Sequence, residues 1–125
     1  MILANNTLDN TTIEVLNNYI DDIQKCINTE YNLDVDIISY TGEISELVVN
    51  GFQELIEKTK NRDHLAIVLS TPGGSATAVE KMVQIIRHHY NEVYFIIPNF
   101  AMSAGTIFSM SGDKIFMDYA STLGP

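Results

Sequence analysis

Two short segments of this 125-residue chain carry residue types suited to chemistry. They are Thr71-Pro72-Gly73-Gly74-Ser75 and Phe100-Ala101-Met102-Ser103-Ala104-Gly105-Thr106. In the first, the glycines lack a Cβ, so the backbone can take positive φ and come close to a bound group. Amides at such a turn, just ahead of a helix, form an electropositive spot for a phosphate or for the oxyanion of a tetrahedral intermediate. Pro-Gly-Gly after a strand also occurs simply as a tight turn. The segment lacks the Lys-Ser/Thr of a P-loop and is not GxGxxG. In the second, Ser103 stands among small neighbours that leave room for a bulky acyl group. It opens a short helix, whose N-terminus favours the negative charge that develops on attack. A serine in that place is also read as an N-cap, the commoner role. The GxSxG elbow of α/β-hydrolases is absent, because Ala101 holds the place of its first glycine.

Alternating strands and helices position these segments. Ile13, Leu16, Ile20, Ile23 and Ile27 recur at steps of three and four, which predicts an N-terminal amphipathic helix with Thr11 or Thr12 as its cap. Gln24, Lys25, Asn17 and Asn18 fall on its wetter faces, and Cys26 reads as a small core residue. Val35–Tyr40 is a β-branched strand ended by Thr41-Gly42. A helix is predicted from about Ser45 to Lys60, with Leu47, Val48, Phe52, Leu55 and Ile56 inward. Leu65–Leu69 and Val93–Ile97 are continuous apolar runs, as expected for strands covered on both faces. A helix over Ala76–His89 joins them. Ser103–Ser111 reads as a short helix and Lys114–Met117 as a last strand. This alternation specifies an α/β fold with a largely parallel sheet. Ligands in such sheets bind at the carboxyl ends of the strands, where both segments fall.

The two segments together are far more specific than either alone. The run STPGGSATAVEKM, followed by PNFAMSAGTIFSMSGDKIFMDYASTLGP, resembles the Clp-fold serine peptidases. It is similar to ClpP protease subunits and closer to the serine dehydrogenase proteinase branch, with its PGG turn, AMSAGT segment and LGP run. IISYTGEIS resembles the first strand of that fold. The likeness covers roughly Asp34 to Pro125, leaving residues 1–32 as a helical segment ahead of a peptidase domain over 33–125. It implies a Clp/crotonase-like fold with Ser103 as nucleophile. It also implies an oxyanion hole built from the amides of Gly74, with Gly73 beside it, and Ala104.

A serine hydroxyl needs a base to become a good nucleophile. Where ClpP subunits carry a histidine before Leu-Gly, this chain has Ala120. His88 and His89 are adjacent on a helix, about 100° apart, and cannot both face one site. His64 precedes a strand at the wrong edge of the sheet, and Lys114 opens a strand facing solvent. A related group in the fold uses a Ser-Lys dyad with its lysine further along. The base, lysine or histidine, is therefore expected beyond Pro125, in a domain that continues past these residues. Asp34 and Asp36 share a strand face without metal-ligand spacing. Glu54 and Glu57 read as a solvated helix face, and Met102, Met110 and Met117 as core filler.

The balance of 16 acidic to 7 basic residues, a net charge of −9, excludes a phosphate-neutralising surface and a basic membrane helix. No run is long and apolar enough to span a bilayer. The single cysteine precludes an internal disulfide and fits a cytoplasmic setting. The resemblance thus implies a serine peptidase acting on polypeptides through an acyl-enzyme, without metal or cofactor, and assembled as a homo-oligomer. The alternatives are a non-catalytic scaffold of the same fold and, less in keeping with a serine in the turn, a crotonase-like acyl-CoA enzyme.

Overall fold

The computed structural model describes residues 2–3, 10–30 and 32–125. In chain order the elements are β1 (Ile2–Leu3), α1 (Asn10–Glu30), β2 (Val35–Thr41), α2 (Val49–Thr59), β3 (His64–Ser70) and α3 (Ala76–His89). Then follow β4 (Glu92–Ile97), β5 (Phe100–Met102), α4 (Ala104–Met110), β6 (Lys114–Met117) and β7 (Thr122–Gly124). One parallel sheet runs β1-β2-β3-β4-β6, and β5 and β7 form a small second sheet. The α/β class and the preceding helix are those expected.

The strands register so that side chains of one parity share a face. Ile38, Ile67 and Phe95 line up across β2, β3 and β4, as do Ile37, Ala66 and Tyr94 on the other face. On the first face Ile38, Leu65, Ile67, Leu69, Val93, Phe95 and Ile97 pack with Phe52 and Ile56 of α2, Met82 and Ile86 of α3 and Phe108 of α4. Phe108 sits edge-on to both Phe52 (6.1 Å) and Phe95 (4.9 Å), which ties α4 to the sheet. On the second face Val35, Ile37 and Ala66 meet Ile20 and Ile27 of α1.

Several local expectations are corrected. The helix expected from Ser45 begins as a 3-10 turn over Glu46–Val48. Its tighter winding shifts the phase, and Leu47 is 92% exposed instead of core-facing. Helix α1 starts at Asn10, so Thr11 and Thr12 lie inside it. Gln24 lies between Ile20 and Ile27 at helical spacing and faces the sheet, where it accepts from the Ile37 amide at 3.3 Å. Cys26, two residues further round, is exposed and not a core residue. Met110 (71%) is exposed too, because α4 turns Phe108, two residues or about 200° away, inward, and Met117 (42%) is exposed at the end of β6.

Candidate active site

The site forms where the chain leaves β3 and β4 at their carboxyl ends. After β3, Thr71 donates its amide to Phe100 O (3.1 Å), and its carbonyl accepts from Met102 N (3.0 Å). This pairing lays the PGG turn along β5. The Thr71 hydroxyl is buried and accepts from the Gly73 amide at 3.0 Å. On the far side, Ile44 donates to Gly73 O (2.8 Å) and accepts from Ser75 N (2.8 Å). The carbonyl and N–H of a trans peptide point in opposite directions, and no peptide here is cis. Committing Gly73 O to Ile44 therefore turns the Gly74 N–H away from Ile44.

Ser103 stands on the other side of that turn. A Cβ built on Gly73 would lie 2.6 Å from Met102 O, 2.7 Å from Ser103 Cβ and 3.3 Å from Ala104 N. Gly73, Ser103 and Ala104 are thus in direct contact, and the contact requires glycine at 73. Both turn glycines have positive φ, 107° and 140°. Ser103 itself has φ 54° and ψ −122°. A non-glycine residue held there costs on the order of 1–3 kcal/mol and persists only when its surroundings fix it. Here they do. Ser103 N donates to Gly124 O (2.9 Å) of β7, and Ser103 O accepts from Thr106 N (3.0 Å). The Thr106 hydroxyl lies 2.9 Å from Ala101 O and 2.6 Å from Gly124 O. The LGP run is the strand that holds the serine in its strained conformation.

Ser103 precedes α4 but does not cap it, since its side chain makes no capping hydrogen bond. Ser75 shows the contrast, accepting from Ala78 N at 3.1 Å at the start of α3. The Ser103 hydroxyl is exposed and uncommitted among the described hydrogen bonds, and the amides of Gly74 and Ala104 have no partner among them either. The strand–turn–helix elbow is therefore present without the GxSxG spacing. Gly105 takes the close approach, because a Cβ there would lie 2.3 Å from Thr71 Cγ2.

The candidate bases lie elsewhere. His64 begins β3, which ends at Ser70, so it sits roughly 20 Å from the site edge at about 3.3 Å per residue. Lys114 opens β6 at that same remote edge, over the Tyr94 ring (5.9 Å). His88 and His89 close α3 and, contrary to the expectation from their helical spacing, both line one groove together with Gln53 and Glu57 of α2. None of the described residues brings a histidine or lysine into hydrogen bonding with Ser103.

Residues 41–125 match the family described as ClpP-like SDH-type serine proteinase. This chain belongs to that family. Two uncharacterized proteins of Methanocaldococcus jannaschii are 37% and 36% identical over 59 residues, 47% of this chain. The aligned part is only 21% and 20% of their lengths. The membrane-bound stomatin-specific protease 1510-N of Pyrococcus horikoshii, in a mutant complex with a substrate peptide, superposes with TM-score 0.61 and 28% identity. It covers 73% of this chain and 44% of that one. The ClpP protease catalytic domain of Plasmodium falciparum has the same fold, with TM-score 0.57 at 20% identity, covering 62% of this chain and 46% of that one. This family member thus spans less than half the length of the relatives it resembles. No helix among its described residues is long and apolar enough to cross a membrane.

The buried Thr71 hydroxyl gives a first measurable expectation. Thr71→Val keeps the shape but leaves the Gly73 amide without its acceptor. A buried donor left unpaired costs about 1–3 kcal/mol. Urea denaturation should show a lower midpoint, and an unchanged midpoint would mean that water replaces the hydroxyl.

Proposed function

We propose that this chain carries the nucleophile and oxyanion hole of a serine peptidase. The observation that carries this reading is Ser103, held at positive φ with an uncommitted hydroxyl against the Gly73-Gly74 turn. In this mechanism Ser103 Oγ attacks the carbonyl carbon of a peptide bond and gives its proton to a general base. The carbonyl oxygen becomes an oxyanion and accepts from Gly74 N and Ala104 N. The Gly73 amide is spent on Thr71, so Gly73 contributes close approach in place of a donor. Collapse of the intermediate expels the amine, which takes the proton back, and leaves an acyl-Ser103 for water to hydrolyse. Each preorganised oxyanion donor contributes about 2.7–4 kcal/mol to such a step. The base, lysine or histidine, comes from residues following Pro125. A polypeptide substrate accords with the peptide-bound stomatin-specific protease, 28% identical to this chain.

The test is covalent labelling of the intact protein by a fluorophosphonate, read by mass spectrometry. Labelling at Ser103 that vanishes in Ser103→Ala is the expected result. A folded protein that stays unlabelled would be a scaffold of the same fold, and the peptidase reading would fall.

A further inference from the structure

We propose that Glu46 is a positioning residue that aims the oxyanion-binding amide of Gly74, an inference that rests on the peptidase reading. The direction of the Gly74 N–H is set from behind, by Ile44. Its two hydrogen bonds, to Gly73 O and from Ser75 N, straddle Gly74 and fix the intervening peptide. Ile44 and Gly74 form an isolated parallel bridge, outside any continuous strand. Before Ile44 the segment is tied by Gly42 N to Ser70 O (3.0 Å) and by the Tyr40 hydroxyl to Glu43 O (2.7 Å), but past Ile44 it has left the sheet.

Glu46, two residues on, adds a side-chain tie from this segment to the far side of Gly74. One carboxylate oxygen accepts from the Ser75 hydroxyl at 3.2 Å and the other from Lys81 Nζ at 2.6 Å. Ser75 directly follows Gly74, and its hydroxyl also accepts from Ala78 N to cap α3. Lys81 lies further along the same helix. The carboxylate therefore staples the segment after β2 to both the second turn of α3, through Lys81, and Ser75, the residue beside the oxyanion donor. As an isolated surface ion pair, Glu46–Lys81 would contribute little to stability. Its place astride Gly74 gives it a different use: it limits the rotation of a peptide that must be aligned before charge develops. Loss of such alignment weakens a transition-state contact and leaves ground-state binding unchanged.

The experiment follows the kinetics of Ser103 labelling by a fluorophosphonate in the intact protein, separating the maximal rate constant from the half-saturating concentration. Glu46→Leu should lower the maximal rate constant about tenfold, part of the loss expected for removing a donor outright, with half-saturation unchanged. Glu46→Gln keeps an acceptor for the Ser75 hydroxyl and should stay within about threefold of the parent. Glu57→Leu, which removes an exposed carboxylate that accepts from Gln53 and lies away from Gly74, should have no effect. An unaltered rate in Glu46→Leu overturns the proposal. So does a loss explained by fewer folded molecules in circular dichroism, or one carried by half-saturation alone. A folded parent that takes no label fails at an earlier step, because it removes the peptidase reading and this role with it.

Discussion

Gly74→Ala is expected to abolish acylation of Ser103 while leaving the sheet assembled. A Cβ at this position would lie 2.0 Å from Ile44 O and 2.9 Å from Ile44 C. Those atoms are backbone, so they cannot swing aside as a side-chain end could. The φ of 140° adds a second penalty, because a residue with a Cβ rarely adopts it. Overpacking costs typically about 1–3 kcal/mol and the backbone strain a similar amount. The turn can relieve both by breaking the Ile44 hydrogen bonds and rotating the Gly73–Gly74 peptide. That rotation withdraws the Gly74 N–H from the oxyanion, for which a loss of about 10²–10³ in rate is the usual consequence. Fluorophosphonate labelling should therefore fall at least a hundredfold, with a stability loss of a few kcal/mol by urea denaturation. Labelling at the parental rate would show that Gly74 N is not a donor.

The second large effect lies at the opposite edge of the sheet. Asp36→Ala should cost about 3–5 kcal/mol, the range for removing one partner of a buried ion pair. Asp36 is 1% exposed, near the start of β2. Its carboxylate accepts from Asn61 N (2.8 Å), Arg62 N (3.0 Å), Arg62 Nη1 (3.3 Å) and Tyr90 OH (3.0 Å). It thereby joins β2 to the turn before β3 and to the residue that ends α3. Burial, together with the charge of Asp36, pushes the Tyr90 phenol well above its ordinary pKa, so it remains a donor. Removing the carboxylate strands two amides and a buried hydroxyl, while the Arg62 side chain keeps its contact with exposed Asp34 at 2.9 Å. Asp36→Asn retains the shape and one acceptor and should cost less. In both variants labelling per folded molecule should match the parent, because β2 runs from Asp36 to the site edge at Thr41, roughly 17 Å. A stability change below about 1 kcal/mol for Asp36→Ala would contradict the network described.

Features with a local physical cause were legible in the sequence. LAIVL and VYFII read as strands because apolar side chains cover both faces of a parallel sheet. The PGG and AMSAGT segments could be placed at one edge because both follow such strands. His64 and Lys114 open strands and His88 and His89 close α3, so the fold sets all four at element ends away from Ser103. Features with long-range causes were not legible. β5 and β7 are three residues each, and their pairing spans α4 and β6, which lie between them in the chain. The strain at Ser103 follows from Gly124, far along the chain, and no residue-type signal marks it. Leu47 misled because helical spacing does not distinguish a 3-10 turn from an α-helix. Gln24 misled because a polar side chain on an apolar face looks misplaced until its backbone partner is known.

That partner matters for how the molecule behaves among its own copies. Among the described residues β1 pairs with β2 at Ser39 and Tyr40, and beyond that pairing the β2 edge would present bare amides and carbonyls. Helix α1 covers them with side-chain amides. Asn28 Oδ1 accepts from Val35 N (3.2 Å), Asn28 Nδ2 donates to Val35 O (3.3 Å), and Gln24 serves Ile37. A carboxamide has the donor and acceptor of a peptide group, so the helix imitates a neighbouring strand without offering a next edge. An open edge of this kind templates strand addition by other chains and sheet growth into aggregates. Helix α1 thus occupies, with two side-chain amides, the stretch of β2 edge that an added strand would use.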